Sequence, residues 1–241
     1  MFDELAPAIE PASAADRPAG LSLRPECGRP APLFPLFLSL RERSAVVVGG
    51  GSIGREKARR LLECGARVLL LDPAPHHDPL EALPPGLRVE PRKFTASDLE
   101  GAVLVVAATD DSEVQREVAR AARERGVLCN VVDTPAHCDF FFGATVRRGN
   151  LQITVSTGGD FPLLAQQVRN ACAAEWPSAM ETILDTLAQA RVRLRRGGGA
   201  ISENREKLEA LVDAEALAEM RAGDVAAIQQ RVERWISSSA L

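Results

Sequence analysis

The sequence predicts an α/β protein: a doubly wound parallel sheet, then a small α+β segment, then a C-terminal helical region. Three observations predict it. Short apolar runs at 44–48, 67–72, 102–108 and 127–132 read as strands; a strand covered by helices on both faces shows a continuous apolar run and not an alternating one. Helix-like stretches at 53–64 and 112–125 lie between those runs, and such alternation specifies parallel pairing through crossover helices. After Gly143 the pattern changes to a hairpin signal followed only by helical periods.

Residues 1–32 are rich in Pro and Ala, mix both charge signs and show no period. They read as a flexible N-terminal arm. Order is expected from Leu33-Phe34-Pro35-Leu36-Phe37-Leu38 onward. The strand at 44–48 (Ser-Ala-Val-Val-Val) ends in glycines, and Gly65 is placed to stop the helix at 53–64. The next strand, Arg-Val-Leu-Leu-Leu-Asp, ends on Asp72. A weaker strand covers 87–90, a strong one 102–108, and Gly126 follows the helix at 112–125. Residues 33–142 thus form one expected domain.

In the expected segment 143–178, residues 144–147 and 151–156 alternate around Arg147-Arg148-Gly149-Asn150, a hairpin signal. Gly158-Gly159 leads to Pro162 at a first helical turn, and Trp176-Pro177 closes that helix. Residues 179–241 are expected to be helical. Ile183, Leu184, Leu187, Ala190, Val192 and Leu194 have helical spacing, glycines 197–199 break it, and two further helices fit 203–221 and 224–236.

Composition narrows the function classes. The chain has 241 residues, 46% hydrophobic and 26% charged, which suits one or two small domains with a sizeable core. With 29 Lys+Arg against 33 Asp+Glu the net charge is −4, so a chain-wide basic surface for nucleic acid or anionic membrane is excluded. Aromatics are 4% with no Tyr, too few for a base-stacking platform. No apolar run reaches the roughly 18 residues of a membrane span. Met1-Phe2-Asp3-Glu4 has neither a basic nor an apolar leader region, so no signal peptide is expected. Five cysteines at 27, 64, 129, 138 and 172 form no Cys-x-x-Cys, and there are three histidines. A structural zinc site is not expected, and the odd count suits a reducing compartment. Cys64, Cys129 and Cys172 fall in helix- or strand-like stretches, where a free Cys is expected as a small buried hydrophobe. The expected location is the cytoplasm.

The chemistry begins at Val46-Val47-Val48-Gly49-Gly50-Gly51-Ser52-Ile53-Gly54. It fits G-x-G-x-x-G with glycines at 49, 51 and 54, after a strand and opening a helix, which is the Rossmann dinucleotide context. Gly49 allows the tight turn, Gly51 lets a pyrophosphate approach the backbone, and Gly54 lets helix and strand pack closely. Free N–H groups near Ser52 and Ile53 would bind the phosphates. Asp72 stands 18 residues beyond Gly54, where a carboxylate accepts hydrogen bonds from ribose hydroxyls and repels a 2′-phosphate, favouring NAD over NADP. Pro73 and Ala74, which follow it, join the expected cofactor-binding set. Ala107-Ala108-Thr109-Asp110-Asp111 ends the strong strand. Ligands of open α/β sheets bind beyond the carboxyl ends of strands, so Thr109 is expected near the nicotinamide half, while Asp110 and Asp111 are expected to cap the next helix.

The following strand end reads Cys129-Asn130-Val131-Val132-Asp133-Thr134-Pro135, and later comes Ser156-Thr157-Gly158-Gly159. Together with the two preceding motifs, these resemble the precorrin-2 dehydrogenase family, the N-terminal module of siroheme synthases, with or without ferrochelatase activity. The resemblance covers about residues 33–177 and extends to Phe34-Pro35-Leu36-Phe37-Leu38 and to Arg55-x-Lys57-Ala58-Arg59. It implies a homodimer in which 143–178 is a dimerisation segment with exchanged elements. The implied reaction is oxidation of precorrin-2 to sirohydrochlorin with NAD, in some members followed by Fe²⁺ insertion to give siroheme in the same cleft.

The family's key acid matches Asp133. The chemistry suits it, because dehydrogenation releases a proton and metal insertion releases two pyrrole protons, so one carboxylate could serve as general base in both. His137, near this acid and titrating near neutrality, is the second candidate for proton transfer. His76 and His77 read as solvated loop residues. The implied substrate carries eight carboxylates, which the planar fork of Arg suits. Arg147, Arg148 and Arg169 border the expected cleft, although a solvated hairpin tip is the plainer reading of the first two. No protein metal site is expected, since the macrocycle would supply the ligands. Two departures stand out: Gly143 where many members have Pro, and Asp160-Phe161 after Gly159. A chain ending at 241 is expected to lack the fused methyltransferase. The competing reading is a Rossmann module that binds NAD as a sensor without catalysis; it needs the glycine turn but neither Asp133 nor the 156–159 motif.

Overall fold

A computed structural model describes residues 33–74, 84–196 and 201–238, with backbone alone for 201–204 and 238. The expectations for residues 1–32, Cys27, His76, His77 and glycines 197–199 lie outside the described residues. Two compact units are distinguished, Met1–Pro35 and Leu36–Leu241. Of the first, residues 33–35 are described, as exposed chain without regular structure.

In the second unit, β1 (Ser44–Val48), β2 (Arg67–Leu71), β3 (Leu87–Glu90), β4 (Ala102–Ala107) and β5 (Leu128–Val131) form a parallel sheet in the order β3-β2-β1-β4-β5. The apolar runs make it so because both faces are covered. Val46, Val48, Leu71, Val105, Ala107, Cys129 and Val131 pack toward α2 (Ser112–Arg125). Their neighbours Ala45, Val47, Val68, Leu70, Leu104 and Val106 pack toward α1 (Ser52–Glu63). This is the Rossmann-type fold, and the strand order reverses between β1 and β4, the place where such sheets bind ligands.

Local chemistry sets the ends of α2. The Asp111 carboxylate accepts from the backbone N–H groups of Glu113 and Val114, while Gly126 closes the helix at φ 66°. Asp111 is therefore the cap, and Asp110 is not. Two short 3-10 turns, Ala96–Leu99 and Pro135–His137, were not expected.

β6 (Ala144–Arg148) and β7 (Leu151–Val155) form the antiparallel hairpin, against which α3 (Pro162–Glu175) packs. Arg148 is not a solvated tip. Its guanidinium donates to the carbonyls of Trp176 at 2.9 Å and Ala173 at 3.1 Å, so a cation sits on the free carbonyls that end α3. Arg147 reaches the Glu63 carbonyl and Cys64 Sγ at the end of α1. At Gly143, where many family members have Pro, a Cβ would come within 2.3 Å of Thr154 Cγ2, so a larger residue there would require that side chain to move.

The rest is helical: α4 (Met180–Arg196), α5 (Ile201–Glu209), α6 (Ala214–Ala222) and α7 (Val225–Ser238). The single helix expected over 203–221 is two helices, because Asp213 caps α6 by accepting from the Ala216 N–H. Ile183, Met220 and Ile228 form one buried cluster, and Arg231 on α7 binds Asp213, Glu215 and Glu219. Cys64 is exposed, contrary to expectation, whereas Cys129 is buried and Cys172 half-buried. No helix among the described residues is long and apolar enough to cross a membrane.

Candidate active site

The carboxyl ends of four neighbouring strands carry the predicted residues, in the spatial order Asp72 (after β2), Gly49–Gly54 (after β1), Thr109 (after β4) and Asp133 (after β5). At about 4.8 Å per strand, the outer two lie roughly 14 Å apart across the sheet. That span suits an extended dinucleotide.

The glycine turn divides its labour by residue. A Cβ on Gly49 would lie 2.2 Å from the Ala108 carbonyl oxygen, and one on Gly54 would lie 1.9 Å from the Gly49 carbonyl oxygen. Those two glycines serve packing. A Cβ on Gly51 would meet nothing within 4 Å, so the backbone there faces open space. α1 starts at this point with Gly51 as N-cap, no side-chain cap and no acid in its first turn. Its first N–H groups, at exposed Ser52 and Ile53, therefore point outward with the positive end of the helix dipole. This is what a pyrophosphate requires, and the residues present fit the group.

Asp72 is half-buried and does more than the sequence suggested. Its Oδ2 accepts from the Gly50 N–H at 2.6 Å, and its Oδ1 accepts from the Ala74 N–H at 2.8 Å. Each oxygen keeps a further lone pair for a ribose hydroxyl. Pro73 and Ala74 are exposed beside it.

On the other side, Thr109 is half-buried, and its carbonyl accepts from Gln115 Nε2 at 2.7 Å. Gln115 Oε1 in turn faces the Thr134 hydroxyl at 3.4 Å. Gln115, missed from the sequence, thus ties the loop after β4 to the loop that holds Asp133. Its position one turn into α2 was a weak signal, since a helical Gln is ordinarily a solvated side chain.

Asp133 is exposed, and its carboxylate has no partner among the described residues. Its φ is +57°; Glu42 is the one other non-glycine residue with positive φ among those described. An aspartate in the left-handed region tolerates the conformation better than most side chains, but it still carries backbone strain, and such residues cluster at active sites. His137 ends the short turn Pro135–His137, is half-buried, and makes no side-chain bond to the described residues. No group of His, Cys, Asp and Glu that could hold a metal occurs among the described residues.

An open cleft of about 1360 Å³ lies between α1, residues 140–143, the hairpin and the start of α3. Lys57, Arg59, Arg60, Arg147 and Arg169 line it, and neither Asp133 nor His137 does. Lys57 and Arg60 sit over the Phe142 ring, at 4.7 and 5.0 Å.

Known proteins resemble this chain in sequence and in fold. Residues 36–144 match the family described as putative NAD(P)-binding. A siroheme synthase of Methylococcus capsulatus is 40% identical over 175 residues, 72% of this chain and 36% of that protein. One from Pseudomonas aeruginosa is 35% identical over 205 residues, 85% of this chain and 44% of that protein. The chain belongs to the siroheme synthase family. It spans 36% and 44% of the length of these two relatives. A solved structure described as SirC, a precorrin-2 dehydrogenase, shares the fold with a TM-score of 0.67 and 24% identity, covering 84% of this chain and all of that one.

Proposed function

We propose that this chain oxidises precorrin-2 to sirohydrochlorin with NAD as hydride acceptor, a step of siroheme biosynthesis. Asp133 carries this reading: an exposed carboxylate without a partner among the described residues, at positive φ, beyond the strand that would border the nicotinamide. A bound nicotinamide supplies the acceptor for hydride. The chain's residues supply the rest. The amides at Ser52 and Ile53 hold the pyrophosphate, Asp72 takes ribose hydroxyls, and Thr109 borders the nicotinamide. As a hydride leaves a substrate carbon, Asp133 takes the proton that the substrate must also release. His137, four residues on in the same loop, is the second candidate for proton transfer.

Insertion of Fe²⁺ as a second substrate asks the same base to take the two pyrrole protons displaced by the metal, so the chain is proposed to make siroheme as well. In this reading the macrocycle, not the protein, supplies the metal's ligands. The chain acts in the cytoplasm as a homodimer with 143–178 as its dimerisation segment. Supporting this, Phe161, Leu163 and Leu164 are more than half exposed at the start of α3, and a second copy would cover them.

The test is a spectroscopic assay of NADH formation from precorrin-2 and NAD, with and without Fe²⁺. Turnover in the wild type and loss of at least about a hundredfold in Asp133→Asn are expected, the lower end of the range for a general base. Tight NADH binding without any turnover would instead favour the non-catalytic sensor.

A further inference from the structure

β5 is an edge strand, so its outward-facing backbone groups have no sheet partner. In a parallel strand both groups of every second residue face outward, here those of Cys129 and Val131. The chain after Asp133 folds back and satisfies them. The Asp139 N–H donates to the Cys129 carbonyl at 2.7 Å, and Asp139 Oδ2 accepts from the Cys129 N–H at 2.9 Å. One step further along, Cys138 Sγ accepts from the Val131 N–H at 3.2 Å and lies 3.2 Å from the Val131 carbonyl, to which its S–H can donate. The same sulfur is 3.5 Å from the Thr134 carbonyl. Asn130 supports it from within β5, with Nδ2 at 3.5 Å from the sulfur and 2.8 Å from the Phe140 carbonyl. Asn130 is the buried polar residue of the described chain. Burial pushes the Cys138 thiol up, which keeps the S–H as a donor.

The segment closed by these bonds, 132–137, contains Asp133 at φ +57°. A left-handed aspartate carries backbone strain and persists where its surroundings over-determine it. The backbone closes this turn with the Thr134 N–H donating to the Val131 carbonyl at 3.2 Å, and the thiol adds the bond from the Val131 N–H that the turn's own backbone does not supply.

We infer that Cys138 is a positioning residue for the base, holding Asp133 in its left-handed conformation by clasping the Val131 backbone. This rests on the proposed function above for its kinetic consequence, though not for its structural one. The thiol does not touch the substrate and takes no part in proton transfer.

The experiment uses the full chain with Cys138→Ala and Cys138→Ser, compared by NADH binding, steady-state kinetics with precorrin-2, and amide hydrogen exchange at Val131 and Thr134. NADH affinity is expected to stay within about twofold of wild type in both, because the glycine turn and Asp72 are untouched. In Cys138→Ala, kcat is expected to fall about ten- to a hundredfold with KM little changed, the scale of a misplaced catalytic group, and the Val131 amide to exchange faster. Cys138→Ser keeps a donor and acceptor and is expected to recover most of both. Wild-type kcat and exchange in Cys138→Ala would overturn the inference. So would a loss in both variants that extends to NADH binding and to exchange throughout the sheet, since that is a general folding defect. If the wild type fails to oxidise precorrin-2, the functional proposal fails alone, and exchange at Val131 still decides the clasp.

Discussion

The Gly50 amide donates to Asp72 Oδ2 at 2.6 Å, which ties the acid ending β2 to the turn that follows β1. One side chain therefore shapes the glycine turn and, in the function proposed above, would meet the ribose. The two tasks separate by substitution. Asp72→Asn keeps a carbonyl oxygen for the Gly50 amide but loses the charge that repels a 2′-phosphate. Its NADP affinity is expected to rise relative to NAD by about tenfold, while Asp72→Ala weakens both. Titration of each variant with the two reduced cofactors, followed by fluorescence, decides this; unchanged preference in Asp72→Asn would remove Asp72 from the ribose site.

The glycines of the turn predict different failures. Gly54→Ala places a methyl 1.9 Å from the Gly49 carbonyl oxygen, which is backbone and cannot step aside. It is expected to destabilise the domain by about 2 kcal/mol or more, in the range of overpacking, and to lower the melting temperature. Gly51→Ala meets nothing within 4 Å and is expected to melt like wild type yet bind NADH at least about tenfold more weakly, because the methyl enters the space open to phosphate. A Gly51→Ala protein with full cofactor affinity would show that the pyrophosphate lies elsewhere.

What the sequence revealed and what it hid follow from the range of the interactions. The strands were legible because burial on both faces leaves an uninterrupted apolar run, as in Ala102–Ala107. The glycine turn was legible because its spacing is a local backbone requirement. The break between α5 and α6 was not: Asp213 makes it with a carboxylate cap, without glycine or proline. Arg148 looked like a solvated tip because its acceptors, the end carbonyls of α3, are 25 and 28 residues away. Likewise, Asp133 could be picked by resemblance, but no sequence rule gave its positive φ, which depends on a loop folding back on a sheet edge.

Gln115 bridges Thr109 and Thr134, so it couples the loops that follow β4 and β5. Gln115→Ala leaves the Thr109 carbonyl short of a donor at a half-buried place, worth about 1 kcal/mol of stability. A lower kcat is expected with NADH affinity nearly intact, since the adenosine side is unaffected. Gln115→Glu is the sharper probe, because its carboxylate cannot donate to Thr109 and sets a charge near the Thr134 hydroxyl. It should be the slower of the two, and a wild-type kcat in both would release Gln115 from this role.

Acid stability should report on Asp98. Its carboxylate accepts two hydrogen bonds from Arg92, at 2.9 and 2.6 Å, and one from the Thr95 N–H at 2.7 Å. The Arg92 guanidinium is the main cause that holds the Asp98 carboxyl below its ordinary range. A depressed carboxyl stabilises the fold above its unfolded value, near 3.9, and that contribution is lost as the pH falls through the folded value. Asp98→Ala is thus expected to cost about 1 kcal/mol at neutral pH, as for a lost cap. The gap from wild type should close below about pH 4. Urea unfolding at a series of pH values measures this, and a gap that stays constant into acid would mean the loss is packing alone.

Thiol reactivity should follow burial. Cys129, at 2% exposure in β5, has its thiol pushed up to about 12, chiefly by burial and further by the Asp139 charge. Cys64 is exposed at the end of α1, with the Arg147 guanidinium 3.4 Å from its sulfur. The thiolate is the reactive form, so limiting iodoacetamide on the native protein is expected to modify Cys64 and to spare Cys129 until urea is added. Peptide mapping after brief labelling reads the order directly. Cys129 labelled in the native state at a rate near that of Cys64 would mean the edge strand opens on that timescale, and the clasp made by Cys138 and Asp139 would then be too weak to hold Asp133 in place.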